Sequence, residues 1–150
     1  ESCDAIIIGA PINAYADPDR QRVALELARR GALLIGTCAD RIFPSPRGLE
    51  IGSGALTSML AYAANVRPIF IGKPERIFFE QLCHRLGVKP EECVLIGDNP
   101  ESDIAGARPL GMKVILTLSG VTRRGDLEHL PPHLRPDHVI EDLRELARSA

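Results

Sequence analysis

The chain has no tryptophan, and aromatic residues make up only 4% of it, too few for the stacking platform that single-stranded nucleic acids require. It has no cationic excess either. Lys plus Arg number 18 against 20 Asp plus Glu, a net charge of −2, which argues against a nucleic-acid binder and against a polybasic membrane-surface protein. Long apolar runs are missing. Stretches such as Ala5–Ile8 are strand-sized, far short of the roughly 18 residues of a membrane span. The first residues lack a charged-then-apolar signal pattern. The four cysteines, Cys3, Cys38, Cys83 and Cys93, form no CxxC pair. They read as reduced thiols of a cytoplasmic protein, not as a disulfide framework or a zinc site. The chain opens on Glu1, not Met, so Glu1 is not expected to be the natural start.

What is present is enough for a folded α/β chain: 150 residues, 45% of them hydrophobic, can bury a core. Ala5–Ile8, closed by Gly9, reads as a buried strand. Asp17-Pro18 reads as an N-cap with proline at the first helical position, and the helix should run to about Arg30, with Val23, Ala24, Leu27 and Ala28 on one face. Ala32–Thr37 is the next strand. A strand, a helix and a strand with short connections make a βαβ unit and therefore a parallel sheet.

Cys38 to Gly54 holds two prolines and three glycines and reads as loop, with Asp40 directly beyond a strand end. A helix should start at Ser53 or Thr57 and end near Ala64, and a short strand follows around Pro68–Ile71. Gly72-Lys73-Pro74 is expected to open another helix, with Ile77, Phe78, Leu82 and Leu86 as its apolar stripe. Cys93–Ile96 is a continuous apolar run of buried-strand type, and Pro100 should open a helix to about Arg108. Met112–Leu116 and His138–Ile140 are strands, Arg123–Pro136 is mostly loop, and Glu141–Ala147 is a last helix.

Three features can carry chemistry. Gly97-Asp98-Asn99-Pro100-Glu101-Ser102-Asp103-Ile104 puts a carboxylate at the carboxyl end of a parallel strand, where open α/β sheets bind ligands. Asp98 is a hard oxygen donor suited to Mg²⁺, and Asp103 lies about a helical turn further on. A plain N-cap and a solvated first-turn acid would look the same in isolation. Lys73 at a helix start is locally unfavourable unless it binds a phosphate or neutralises carboxylates. Asp40, with Gly52-Ser53-Gly54 nearby, suits substrate selection, although a turn aspartate has the same signature. His84, His129, His133 and His138 match no metal spacing and read as surface or edge residues.

Taken together, Lys73-Pro74, Gly97-Asp98, Ser102-Asp103-Ile104, Gly106, Gly111-Met112 and Thr117-Leu118-Ser119-Gly120 resemble the C-terminal half of a haloacid dehalogenase (HAD) superfamily phosphatase. The best match is subfamily IIA, the group of NagD-like, 4-nitrophenylphosphatase and phosphoglycolate phosphatase enzymes. Ile6–Gly9, the helix after Asp17, Leu33–Thr37, Asp40, Phe43-Pro44, Gly48-Leu49 and Gly52-Ser53-Gly54-Ala55 resemble the later part of that group's α/β cap. The resemblance implies the later part of a cap over residues 1–70 and the C-terminal part of a Rossmann-like core over 71–150. It implies a Mg²⁺-dependent phosphatase acting on a small phosphorylated metabolite through an aspartyl-phosphate intermediate. It gives Lys73 the task of stabilising nucleophile and phosphoryl group, Asp98 that of holding the metal, and Asp103 that of supporting the metal and its waters. Asp40 and Asn99 become substrate-side residues.

The pattern has departures. Cys38-Ala39-Asp40 stands where the family usually has Asn-Pro-Asp, and Ser102 replaces a common Thr. The nucleophile motif, an apolar strand ending Asp-x-Asp-Gly, does not occur in these 150 residues. By the resemblance that strand would lie beside Val94–Ile96, so this edge is expected to be unpaired and open to homo-oligomerisation. A non-catalytic relative serving as a binding or dimerisation module is the competing class. A receiver-like domain ranks last, because Ile8 is followed by Gly9-Ala10-Pro11 and not by an acidic pair.

Overall fold

The computed structural model of the protein describes residues 2–9 and 17–148. The chain forms two compact units, residues 1–72 and 73–150.

In the first unit, β1 (Ala5–Ile8), α1 (Pro18–Arg29) and β2 (Leu33–Gly36) form the expected βαβ unit, with β1 and β2 parallel and Ala5 opposite Leu33. Asp17 caps α1 by accepting the Arg20 N–H at 3.0 Å, and Gly31 follows with a φ of +105°. β5 (Ile69–Phe70) pairs with the other side of β2, giving a parallel sheet of order β1-β2-β5. α2 (Ser53–Ala64) covers one face, and Leu34, Leu56, Leu60 and Ala61 form the core with Ile6, Ile8, Ala24 and Val66 against it.

Two expectations change here. The stretch after Cys38 is not all loop: β3 (Ile42–Ser45) and β4 (Gly48–Ile51) make an antiparallel hairpin turning at Pro46-Arg47. Its strands are short and Pro44 lies within one, so the loop punctuation masked them. β1 is not buried on both faces. Among the described residues it ends the sheet, and Ile7 is 68% exposed, with Leu33 and Ile69 exposed as well.

The second unit is built on α3 (Arg76–Leu86), β6 (Val94–Gly97), α4 (Ala105–Ala107), β7 (Lys113–Thr117), β8 (His138–Ile140) and α5 (Arg144–Arg148). Its sheet is parallel, in the order β6-β7-β8. Phe79 and Cys83 on α3 pack with Ile104, Ala107, Val114 and Leu116.

The stripe expected on α3 is therefore misassigned. Ile77, Phe78, Leu82 and Leu86 are exposed, and the buried seam is the i, i+4 pair Phe79 and Cys83. Both sets have helical spacing, and periodicity does not say which one meets a sheet. Helix α3 also starts later than expected, with Glu75 as N-cap, so Pro74 lies ahead of the helix. The expected helix after Pro100 is broken into a π turn (Pro100–Ile104), α4 and a 3₁₀ turn (Arg108–Leu110). Arg123–Pro136, expected as loop, carries two 3₁₀ turns. Among the described residues β6 is an end strand of its sheet, as expected for the edge at Val94–Ile96, and Val94 and Ile96 are exposed.

Candidate functional site

The site gathers at the carboxyl end of β6. Gly97 closes the strand and Asn99 starts the following turn, its Oδ1 accepting the Glu101 N–H at 3.1 Å. The π turn brings Asp103 back over the strand end, where the backbone N–H groups of Asp98 and Asn99 both donate to its Oδ2 at 3.0 Å. A Cβ at position 97 would collide with the Asp103 carboxylate, so only glycine lets the side chain lie across the strand end.

Lys73 supplies the countercharge. Its Nζ donates to Asp103 Oδ1 at 2.7 Å, with the Asp103 side chain only 2% exposed and that of Lys73 32% exposed. A buried carboxylate is tolerated only when paired and hydrogen-bonded, and Asp103 has two backbone donors and an ammonium.

Asp98 is held from the other side by the segment after β7. Val121 donates its backbone N–H to Asp98 Oδ2 at 2.8 Å, and the buried Thr122 donates its hydroxyl to the Asp98 carbonyl at 2.6 Å. A Cβ on Gly120 would strike the Asp98 carboxylate, so this turn also needs its glycine for close approach. The segment 120–122 is a positioning element, of which only Gly120 belongs to the strand-end motif read from the sequence. The small residue at 120 and the hydroxyl at 122 were its only signals.

The structure thus brings Lys73, Asp98, Asn99 and Asp103 together, although not in the expected way. The motifs lead one to expect Lys73 and Asp98 at strand-to-helix junctions of one parallel sheet. Lys73 instead follows β5, whose partner is β2, while Asp98 ends β6, which pairs with β7. The link between them is Asp103, which holds both. Ser102 is buried at 3% exposure in the same turn, and its Oγ has no hydrogen-bond partner. Asp40 lies in the first unit, half-buried, and its carbonyl accepts the Gly54 N–H at 3.1 Å. Beside it, Cys38 Sγ lies 3.0 Å from Ser53 Oγ. All four histidines are exposed.

Among the described residues no group of three or more His, Cys, Asp or Glu side chains could hold a metal ion by itself. The donor chemistry at Asp98 still fits Mg²⁺. One carboxylate oxygen takes the Val121 N–H, and magnesium commonly binds through one or two carboxylates, with water and substrate phosphate completing its shell. Asp103 differs: each of its oxygens already accepts a hydrogen bond, which suits support of the site better than direct ligation.

Residues 70–146 match the family described as HAD-hydrolase-like. The chain belongs to the haloacid dehalogenase superfamily. Its subfamily IIA character shows in the relatives. The 5'-nucleotidase YutF of Bacillus subtilis is 37% identical over 146 residues, covering 97% of this chain and 55% of that protein. The p-nitrophenyl phosphatase from Archaeoglobus fulgidus superposes with a TM-score of 0.81 at 25% identity, over 99% of this chain and 57% of its own. The glycerol phosphate phosphatase of Mycobacterium tuberculosis, in complex with magnesium, superposes with a TM-score of 0.78 at 28% identity, over 95% of this chain and 42% of its own. The chain therefore spans about half the length of the relatives it matches. The HAD assignment covers both the GKP segment at Lys73 and the strand-end acids. Among the described residues no helix is long and apolar enough to cross a membrane.

Proposed function

We propose that this chain is the cap-and-core portion of a Mg²⁺-dependent HAD phosphatase that hydrolyses a small phosphate ester. The observation that carries the reading is the Lys73–Asp103–Asp98 arrangement at one strand end. The naming of similar proteins as a nucleotidase, a p-nitrophenyl phosphatase and a glycerol phosphate phosphatase supports the reaction class. In this reading residues 1–70 are the later part of the cap and 71–150 the C-terminal part of the core.

Asp98 would hold the metal, which supplies charge neutralisation at the phosphoryl oxygens when bound. Lys73, an ammonium with three donors, is oriented by Asp103 and would place its charge on the transferring phosphoryl group. Asp103 fixes Lys73 and the Asp98 backbone with one carboxylate. Asn99 would meet the substrate from the start of the same turn. The nucleophile is an aspartate outside these 150 residues. It attacks phosphorus, the ester oxygen leaves, and water then cleaves the aspartyl phosphate. Asp40 belongs to the loop that selects the substrate's leaving group.

The test is hydrolysis of 4-nitrophenyl phosphate with Mg²⁺ by the chain from Glu1 and by a version extended upstream in its gene. Turnover in the extended protein alone, abolished by Asp98→Ala, is the expected result. Inactivity of both would favour a non-catalytic binding module, and turnover by the short chain would require a nucleophile within it.

A further inference from the structure

Outside the site, two thiols face one another. Cys83 Sγ and Cys93 Sγ are 3.8 Å apart, and all four cysteines are free. Their backbones are held independently. Cys83 lies on the buried seam of α3, one turn after Phe79. Cys93 stands immediately before β6, where its carbonyl accepts the Lys113 N–H at 3.2 Å and its N–H donates to Pro90 at 2.9 Å. The intervening chain is closed by the left-handed Gly87 cap and the 3₁₀ turn Pro90–Glu92.

We propose that Cys83 and Cys93 are an oxidisable dithiol, a modification site that takes hydrogen peroxide as its two-electron oxidant and closes to an intramolecular disulfide. The asymmetry of the pair assigns the roles. Cys83 is 3% exposed, whereas Cys93 is half-buried and reachable. Burial raises the Cys83 thiol, with the neighbouring Cys93 and Glu91 adding to the effect, so it stays protonated while Cys93 meets the oxidant.

The Cys93 sulfur attacks one peroxide oxygen. An S–O bond forms, the O–O bond breaks, and the leaving oxygen departs as water with the thiol proton, giving a sulfenic acid. The Cys83 sulfur then attacks the Cys93 sulfur. The S–S bond forms, the S–O bond breaks, and hydroxide leaves with the Cys83 proton as a second water. Two thiols have supplied two electrons, and the peroxide has become water.

The bond would tie the end of α3 to the start of β6. Asp98 lies at the other end of that strand, about 16 Å away at the rise of an extended chain. Oxidation should therefore stiffen the second unit without touching the phosphate site, and its test is independent of the proposed function.

The experiment uses the full chain, reduced, freed of reductant and treated with hydrogen peroxide, then alkylated and digested with trypsin. The two cysteines fall in separate peptides, 77–85 and 86–113. The expected result is a linked pair of these peptides lacking two hydrogens, formed within one chain, reversed by dithiothreitol, and accompanied by a higher melting temperature. In Cys93→Ser, Cys83 should remain alkylatable after denaturation. The proposal is overturned if Cys93 proceeds to sulfinic acid while Cys83 stays a thiol. It is equally overturned if either thiol links only to another chain or to Cys3 or Cys38. Failure to form the link at a peroxide dose that oxidises the exposed Cys3 would also overturn it.

Discussion

Asp103 holds Lys73. The ammonium sits 2.7 Å from one carboxylate oxygen, while the other oxygen accepts the backbone N–H groups of Asp98 and Asn99. One buried side chain therefore fixes both the cation and the backbone of the strand-end acid of the candidate site. This makes Asp103 more valuable to the fold than either residue it holds.

Asp103→Ala should accordingly cost more stability than Lys73→Ala. It removes the acceptor of two backbone N–H groups and the carboxylate of the Lys73 ion pair, worth about 3–5 kcal/mol together. Lys73→Ala strips a carboxylate that is 2% exposed of its countercharge, but the two backbone hydrogen bonds stay with that charge, so the loss should lie at the low end, about 3 kcal/mol. Urea unfolding of the three proteins measures the order, and a larger loss for Lys73→Ala would contradict the assignment of Asp103 as the organiser.

Thr122 is expected to act through its hydroxyl, which donates to the Asp98 carbonyl at 2.6 Å. Thr122→Ser retains that donor, whereas Thr122→Val leaves the carbonyl without it at nearly unchanged volume. The valine variant should lose about 1–2 kcal/mol and the serine variant clearly less. Equal losses in chemical denaturation would point to packing of the methyl group instead.

The two adjacent phenylalanines of α3 give a direct check on which helix face is buried. Phe79→Ala should remove about 3–5 kcal/mol, because the ring is fully buried against the β7 face of the core. Phe78 is 39% exposed, and Phe78→Ala should cost about 1 kcal/mol or less in the same chain. Thermal or urea unfolding separates the two.

Acid stability should depend on Asp137. Its carboxylate accepts the Val114 N–H at 2.8 Å, and that hydrogen bond, followed by the charges of Arg108 and Lys113, holds the carboxyl below its ordinary value despite partial burial. The folded state then binds fewer protons than the unfolded state, so this contribution is present above about pH 3.9 and is lost as pH falls through the lowered value. The stability gap between the native chain and Asp137→Asn should be steady near neutrality and shrink below about pH 4. A gap independent of pH would show that the charge is not what matters.

On the proposed function, with Asp40 selecting the leaving group, Asp40→Ala in the longer protein should reorder its substrates and leave hydrolysis of the small 4-nitrophenyl ester least affected. Measuring kcat/KM over a panel of phosphate esters decides it. A uniform fall across the panel would make Asp40 a structural or general catalytic residue.

Several local features were legible from residue type and spacing. Asp17-Pro18 specifies its helix start because a side-chain acceptor and a proline lacking its N–H both suit the first turn. The parallel pairing of β1 with β2 follows from a strand, a helix and a strand with short links. The place of Asp98 just past a strand end was legible too, because a continuous apolar run closed by Gly97 marks where the strand stops. What the chain could not declare locally was partnership. Ile77, Phe78, Leu82 and Leu86 are as periodic as Phe79 and Cys83, and only the position of the β6-β7-β8 sheet chooses the buried set. The run at β1 is apolar throughout, and only the strand order among the described residues leaves Ile7 exposed. Lys73 and Asp103 are thirty residues apart, and their ion pair forms because the π turn after β6 folds a carboxylate back over the strand end. Local propensity acts over one or two turns of chain. The contacts that organise this site join segments that meet only after the loops between them have closed, so the tertiary fold alone decides them.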